Sequence, residues 1–254
     1  MYCSILILIV TSCNTDDRDG MTENICALSQ IDDGIRILEY KYNITGDLFR
    51  INVYPSPLPE NTNPAASFFR SQITKDSIIV GVMQNLVTNG RVLISAKYEN
   101  DLLLEVKRFY ASGNTNNFRF EYEGASVTVF LSFTENNTTT NLERGLYTFD
   151  TNQNIIAFDR YVFDVNNQEV LLGSIDYEYE PDAFNPRKAL LFPTFFEQNL
   201  PDASFFSTDS ASKKTIGESA INFSIETNEN DKVNVITDLT NFETEIYSYL
   251  NCNE

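Results

Sequence analysis

The chain predicts an all-β protein built as a large twisted antiparallel β-meander, an open sheet or alternatively a sandwich or barrel. Three observations carry the prediction. Between about Met83 and Glu180, short segments rich in Val, Ile, Phe and Tyr follow one another. Each closes on a turn signal, such as Asn100-Asp101, Ser112-Gly113-Asn114, Gly124, Asn136-Asn137, Asn152 or Asn166-Asn167. No helical period separates them, so consecutive strands pair as hairpins.

Taken in order, Ile35–Tyr42 begins the sheet and turns through Asn43–Asp47 into Leu48–Tyr54. Pro55, Pro57, Pro59 and Pro64 then forbid ladder hydrogen bonds and mark a loop, with a helical turn expected at Ala65–Arg70. Ser77–Met83 and Arg91–Tyr98 flank Asn89-Gly90, a strong hairpin dipeptide. The meander continues through Leu102–Tyr110, Phe118–Glu123, Ser126–Phe133, Gly145–Asp150, Ile155–Asp164 and Val170–Glu180.

Within it, Phe118–Tyr122 and Val127–Phe133 alternate cleanly, predicting one buried face and one wet face. Leu102-Leu103-Leu104 and Ile155-Ile156 break the alternation and predict positions covered on both faces. After Glu180 the texture changes. Asn185–Ser207 reads as a short helical and loop insertion, and its cluster of Phe192, Phe195, Phe196, Phe205 and Phe206 predicts a plug over one face or end of the sheet. Strands return at Ala220–Glu226, Lys232–Thr237 and Phe242–Leu250.

Composition excludes several functions. The 254 residues carry a net charge of −18, so nucleic acid and anionic lipid surfaces would repel the chain. There is no histidine, which removes imidazole catalysis, Ser-His and Cys-His nucleophile pairs and His-ligated zinc. At 42% hydrophobic and 13% aromatic residues the chain has enough apolar surface to fold. No catalytic, cofactor-binding or metal-binding set stands out, and no cofactor is expected. Asp150–Asn154 matches the opening of a calcium loop, but Ile155 stands where the sharp-turn Gly belongs and Tyr161 where the bidentate Glu belongs. The motif reads as a hairpin turn. Asp176, Glu178 and Glu180 alternate with Tyr177 and Tyr179 and read as a solvated strand face.

The start of the chain speaks to address. Tyr2–Cys13 is a short apolar run followed by small residues, which reads as a secretory signal too short to span a bilayer. Val10-Thr11-Ser12-Cys13 resembles the lipobox of bacterial lipoproteins, which implies Cys13 as lipid attachment site and mature N-terminus. No Lys or Arg precedes the run, and Met21 offers an alternative start without the signal. The organisation expected is a signal peptide over 1–12, a flexible acidic tether over 13–30 and one all-β domain over 31–254. Cys26 and Cys252 remain as a candidate disulfide, with two free thiols the other reading.

A local texture recurs in Tyr98–Asp101, Tyr147–Asp150, Tyr161–Asp164 and Tyr177–Glu180. Together with Cys13 and Asn185-Pro186, it resembles uncharacterised Gram-negative lipoproteins with β-rich, YD-repeat-like domains. That resemblance implies an exported, outer-membrane-anchored protein, on the periplasmic or cell-surface face, with no known catalytic residues. The membrane is then a partner through the N-terminal lipid, and an envelope protein or a glycan is a candidate second partner. The expected role is a non-enzymatic binding or structural module. The alternatives are a glycan-active enzyme using paired carboxylates and a subunit of a surface filament or adhesin.

Overall fold

The computed structural model describes residues 27–42, 48–58, 63–74, 77–83, 91–100, 102–186, 200–202, 206–229 and 231–250. Cys3, Cys13, Cys26 and Cys252, Asn89-Gly90 and residues 187–199 lie outside them. Alternation of apolar and polar residues lays the chain into β1 (Ala27–Asp32), β2 (Arg36–Tyr42), β3 (Leu48–Pro55), β4 (Ala66–Thr74), β5 (Ser77–Met83), β6 (Arg91–Glu99), β7 (Leu102–Phe109) and β8 (Thr115–Glu123). It continues through β9 (Ser126–Glu135), β10 (Thr138–Phe149), β11 (Ile155–Phe163), β12 (Glu169–Phe184), β13 (Asp209–Ile216), β14 (Ser219–Thr227), β15 (Val233–Asp238) and β16 (Thr244–Leu250).

Every strand pairs antiparallel with its neighbour in sequence, as the predicted meander requires. The sequence left closure undecided among sheet, sandwich and barrel. The pairing decides it: β1 pairs with β2 on one side and with β16 on the other, Ile31 opposite Tyr247, and the sheet closes into a barrel. Closure gives each paired strand a partner on both sides.

Turn chemistry sets the register. Asn136 and Asn137 both adopt positive φ, 49° and 64°, the backbone that a two-residue hairpin demands. A second design recurs at several further turns. Asp150, Asp164 and Asn228 each open a loop whose fourth residue (Gln153, Asn167 or Asp231) has positive φ. In each, the opening residue's N–H donates to the carbonyl four residues on.

The inward face carries the core. Ile51, Ile94, Val106, Phe118, Val127, Val129 and Leu131 are buried, and the residues between them on β8 and β9 (Arg119, Thr128 and Phe130 among them) are not. Asp176, Glu178 and Glu180 are exposed around buried Tyr177, as expected. Sixteen strands enclose more space than side chains alone fill. The flanks of the β12–β13 connection supply part of the filling: Phe206 packs against Tyr147 at 4.9 Å between ring centroids and against Phe120 at 6.3 Å.

Some local expectations are corrected. Ala66–Thr74 is strand, so the helical turn expected at Ala65–Arg70 does not form there. Every residue of that run except Ile73, at a shift in register, has a β3 or β5 partner, which outweighs local propensity. Ala27–Gln30, read as tether, lies in β1, and pairing with β16 holds it in the sheet. Asp209–Ile216 is an additional strand. Ile156 is exposed although Ile155 is fully buried, so that doublet is covered on one face alone.

Candidate functional site

Two regions collect chemistry. The first is the barrel interior where the β12–β13 connection seats. The Tyr147 hydroxyl donates to the Pro201 carbonyl at 2.6 Å, and its ring stacks on Phe158 at 4.5 Å. Gly145 makes room for this seating, because a Cβ there would lie 2.8 Å from Phe158 and 3.0 Å from Leu200. Ser207 is fully buried; its hydroxyl accepts from the Ile155 N–H at 3.0 Å and lies 2.7 Å from the Tyr179 hydroxyl. Burial pushes the Tyr147, Tyr177 and Tyr179 hydroxyls well above the usual phenol range, so they stay neutral donors. These tyrosines hold structure. The plug expected over the sheet therefore seats its described flanks against the core, while the helical turns expected in it lie outside the described residues.

The second region lies on the outer wall of β7–β12. Antiparallel pairing aligns side chains there in rows across the strands. One row runs Glu105, Arg119, Phe130, Arg144, Tyr161. The Arg119 guanidinium covers the Phe130 ring at 4.4 Å from its centroid, and Arg144 covers Tyr161 at 3.9 Å. The next row runs Lys107, Asn117, Ser132, Asn141, and the next Thr115, Thr134, Thr139. Apart from Arg144 and Tyr161, these rows line a trough of about 690 Å³, with Phe163 and Glu169 at its far wall.

Charge in the trough is compensated. Lys107 pairs with Glu105 at 2.7 Å, Arg119 pairs with Glu121, and Arg144 grips Glu169 through two bonds of 2.9 and 2.7 Å. The Glu169 carboxylate holds the Arg144 guanidinium above its usual range against the opposing effect of burial.

The calcium-like motif is a turn. A single Asp150 carboxylate oxygen accepts the N–H groups of Asn152 and Asn154, each at 2.8 Å, and Asp164 repeats this with Asn166 and Gln168. The Asp164 carboxyl is accordingly held below the usual range by the Gln168 and Asn166 N–H groups. Among the described residues no group of three or more Cys, Asp or Glu side chains is placed to hold a metal.

Sequence reading missed the trough. Its residues are scattered from Glu105 to Glu169, and cross-strand register alone brings them together. The signal that was present is the run of Thr and Asn at the outward positions of neighbouring strands.

No family model and no curated protein matches the chain. Solved structures do resemble it. A porin-like protein from Bacteroides vulgatus superposes with a TM-score of 0.58 at 11% identity, covering 88% of this chain and 98% of that one. A porin-like protein from Bacteroides uniformis gives 0.54 at 11% identity, covering 87% and 95%. At this identity the likeness establishes a shared fold.

Proposed function

We propose that the chain is an exported lipoprotein, held at the outer membrane through Cys13, that works as a non-enzymatic binding module. The observation that carries the reading is the opposition of the barrel's two rims. In an antiparallel meander of even strand number, both ends of the sheet and every connection after an even-numbered strand share one rim. Ala27, Leu250 and the β12–β13 connection therefore lie at the same end. The other rim carries exposed apolar tips: Ile35 after β1, Leu58 after β3, Val165 after β11, and Leu239 and Phe242 after β15. A lipid on Cys13 would tether the first rim and present the second to an envelope partner.

The porin-like neighbours agree with an envelope address. The outer wall of this barrel differs from that of a pore-forming one, whose lipid-facing band is apolar. Here Lys107–Glu105, Arg119–Glu121 and Lys213–Glu178 pairs lie on the outward face, while the largest fully buried side chains, Tyr40, Tyr147 and Phe118 among them, belong to the core. A water-facing barrel on a lipid tether fits that distribution. The paired-carboxylate enzyme gains no support from the trough, because Glu105 and Glu169 are each committed to an ion pair. The filament alternative needs an unpaired edge for strand addition, and barrel closure removes it.

Labelling with palmitate in a Gram-negative host tests the anchor. The wild-type chain is expected to take up label and fractionate with membranes, and Cys13→Ala to do neither. Unchanged labelling and fractionation in Cys13→Ala would remove the proposal.

A further inference from the structure

We propose that the β7–β12 trough is a binding site for a neutral, hydroxyl-rich glycan. The inference rests on the reading of the chain as an exported binding module and names the ligand class for it. Three features point to that chemistry.

First, every charged side chain that lines the trough is already neutralised by a neighbour: Lys107 by Glu105, Arg119 by Glu121 and Glu169 by Arg144. These solvent-exposed pairs leave little net field in the trough to attract a charged ligand, and a neutral one binds without breaking them.

Second, the floor consists of amides and hydroxyls, groups that donate and accept at once, as sugar hydroxyls do. They are held in alignment. The Asn117 amide donates to the Thr134 hydroxyl at 3.0 Å, and Thr134 and Thr139 hydroxyls lie 2.9 Å apart. The bonds fix orientation and leave capacity: Asn117 keeps a second amide hydrogen. The Ser132 hydroxyl, between Asn117 and Asn141 in its row, makes no side-chain hydrogen bond among the described residues.

Third, the trough offers apolar surface at its edge. Phe163 is half-buried and lies at its wall, suited to the C–H face of a sugar ring, while Phe130 is already covered by Arg119. A volume of about 690 Å³ is large enough to seat a short oligosaccharide segment.

Native affinity electrophoresis of the full chain tests this, with gels containing mannan, xylan, galactomannan or a mixed-linkage β-glucan, and heparin or polygalacturonate as charged comparators. At least one neutral polymer is expected to retard the protein, and the charged ones are not. Asn117→Ala and Phe163→Ala are expected to raise the polymer concentration for half-retardation about tenfold, Phe163→Tyr to restore it, and Asn222→Ala, exposed on β14 away from the trough, to leave it unchanged. Circular dichroism and melting profiles check that each variant is folded. Should Asn117→Ala prove unfolded, Ser132→Ala serves the same arm. Retardation by none of the neutral polymers, retardation by the charged ones alone, or retardation indifferent to the trough variants would overturn the site. Running Cys13→Ala alongside separates the two ideas. Retained retardation with unchanged palmitate labelling removes the anchor alone, and normal anchoring without retardation removes the trough alone.

Discussion

The Arg144 guanidinium lies 3.9 Å from the centroid of the Tyr161 ring on the adjacent strand, and the two residues are direct cross-strand partners. Glu169, one strand further on, clasps the same guanidinium through both oxygens. Three strands are thus tied on the outer wall by one side chain. Glu169 is 39% exposed, so solvent screens the pair. A double-mutant cycle between Arg144 and Glu169 is expected to give a coupling of about 0.5 kcal/mol that shrinks in 1 M salt. Arg144→Lys loses the planar stacking and the fork together and recovers little of it. A coupling above about 2 kcal/mol, unmoved by salt, would show the pair to be dry.

Tyr147 tests the seating of the β12–β13 connection. Tyr147→Phe keeps the ring contacts with Phe158 and Phe206 and deletes only the bond to the Pro201 carbonyl. A stability loss of about 1–2 kcal/mol in urea is expected, because a buried carbonyl is left without that donor. A variant as stable as the wild type would mean that water reaches Pro201.

Gly145 is the complementary probe. Its missing Cβ leaves room for the Phe158 and Tyr147 rings and for Leu200. Gly145→Ala is expected to destabilise by about 1–3 kcal/mol through overpacking, despite alanine's better backbone entropy. Stabilisation would indicate that the connection is not seated there.

Tyrosine ionisation sets the alkaline limit. The Tyr42 hydroxyl donates to Leu28 and the Tyr249 hydroxyl to Val233, both at 2.6 Å and both beside the strands where the barrel closes. Burial pushes each up to about 12, from an ordinary value of 10.0. A raised folded-state value means that this stability is whole below pH 10 and is lost as pH climbs towards 12. Tyrosinate absorbance is expected to rise together with loss of β-sheet ellipticity in that window. Nearly full tyrosinate absorbance at about pH 11.5 with the sheet intact would contradict the burial (about one and a half units above the free value).

Asp150 and Asp164 cap their own turns. Millimolar calcium is expected to leave the melting midpoint unchanged, whereas Asp150→Ala lowers stability by about 1 kcal/mol through the loss of two N–H acceptors. A calcium-dependent rise in the midpoint that Asp150→Ala abolishes would restore the metal reading.

Local chemistry made much of this fold legible. Phe118, Phe120, Val127 and Val129 alternate with polar residues, and a period of two can bury only one face of a strand. Asn136-Asn137 and the Asp-led loops announce their turns because few residues tolerate positive φ. Ala66–Thr74 and Asp209–Ile216 were opaque for the opposite reason: Lys213 and Lys214 look like surface, and only pairing with β12 makes that run a strand. The trough was invisible because Asn117, Thr134, Thr139 and Phe163 are distant in sequence.

The sequence by itself determined most strands of the meander, its Asn- and Asp-led turns, the polar outer face and the Cys13 motif, all of which follow from neighbours within a few residues. The tertiary structure alone decided that Ile31 meets Tyr247 across the closure, that Phe206 packs on Tyr147, and which outward side chains share a wall. Those contacts join residues tens to hundreds of positions apart. Their formation depends on register and on filling a common interior, and no local pattern encodes either.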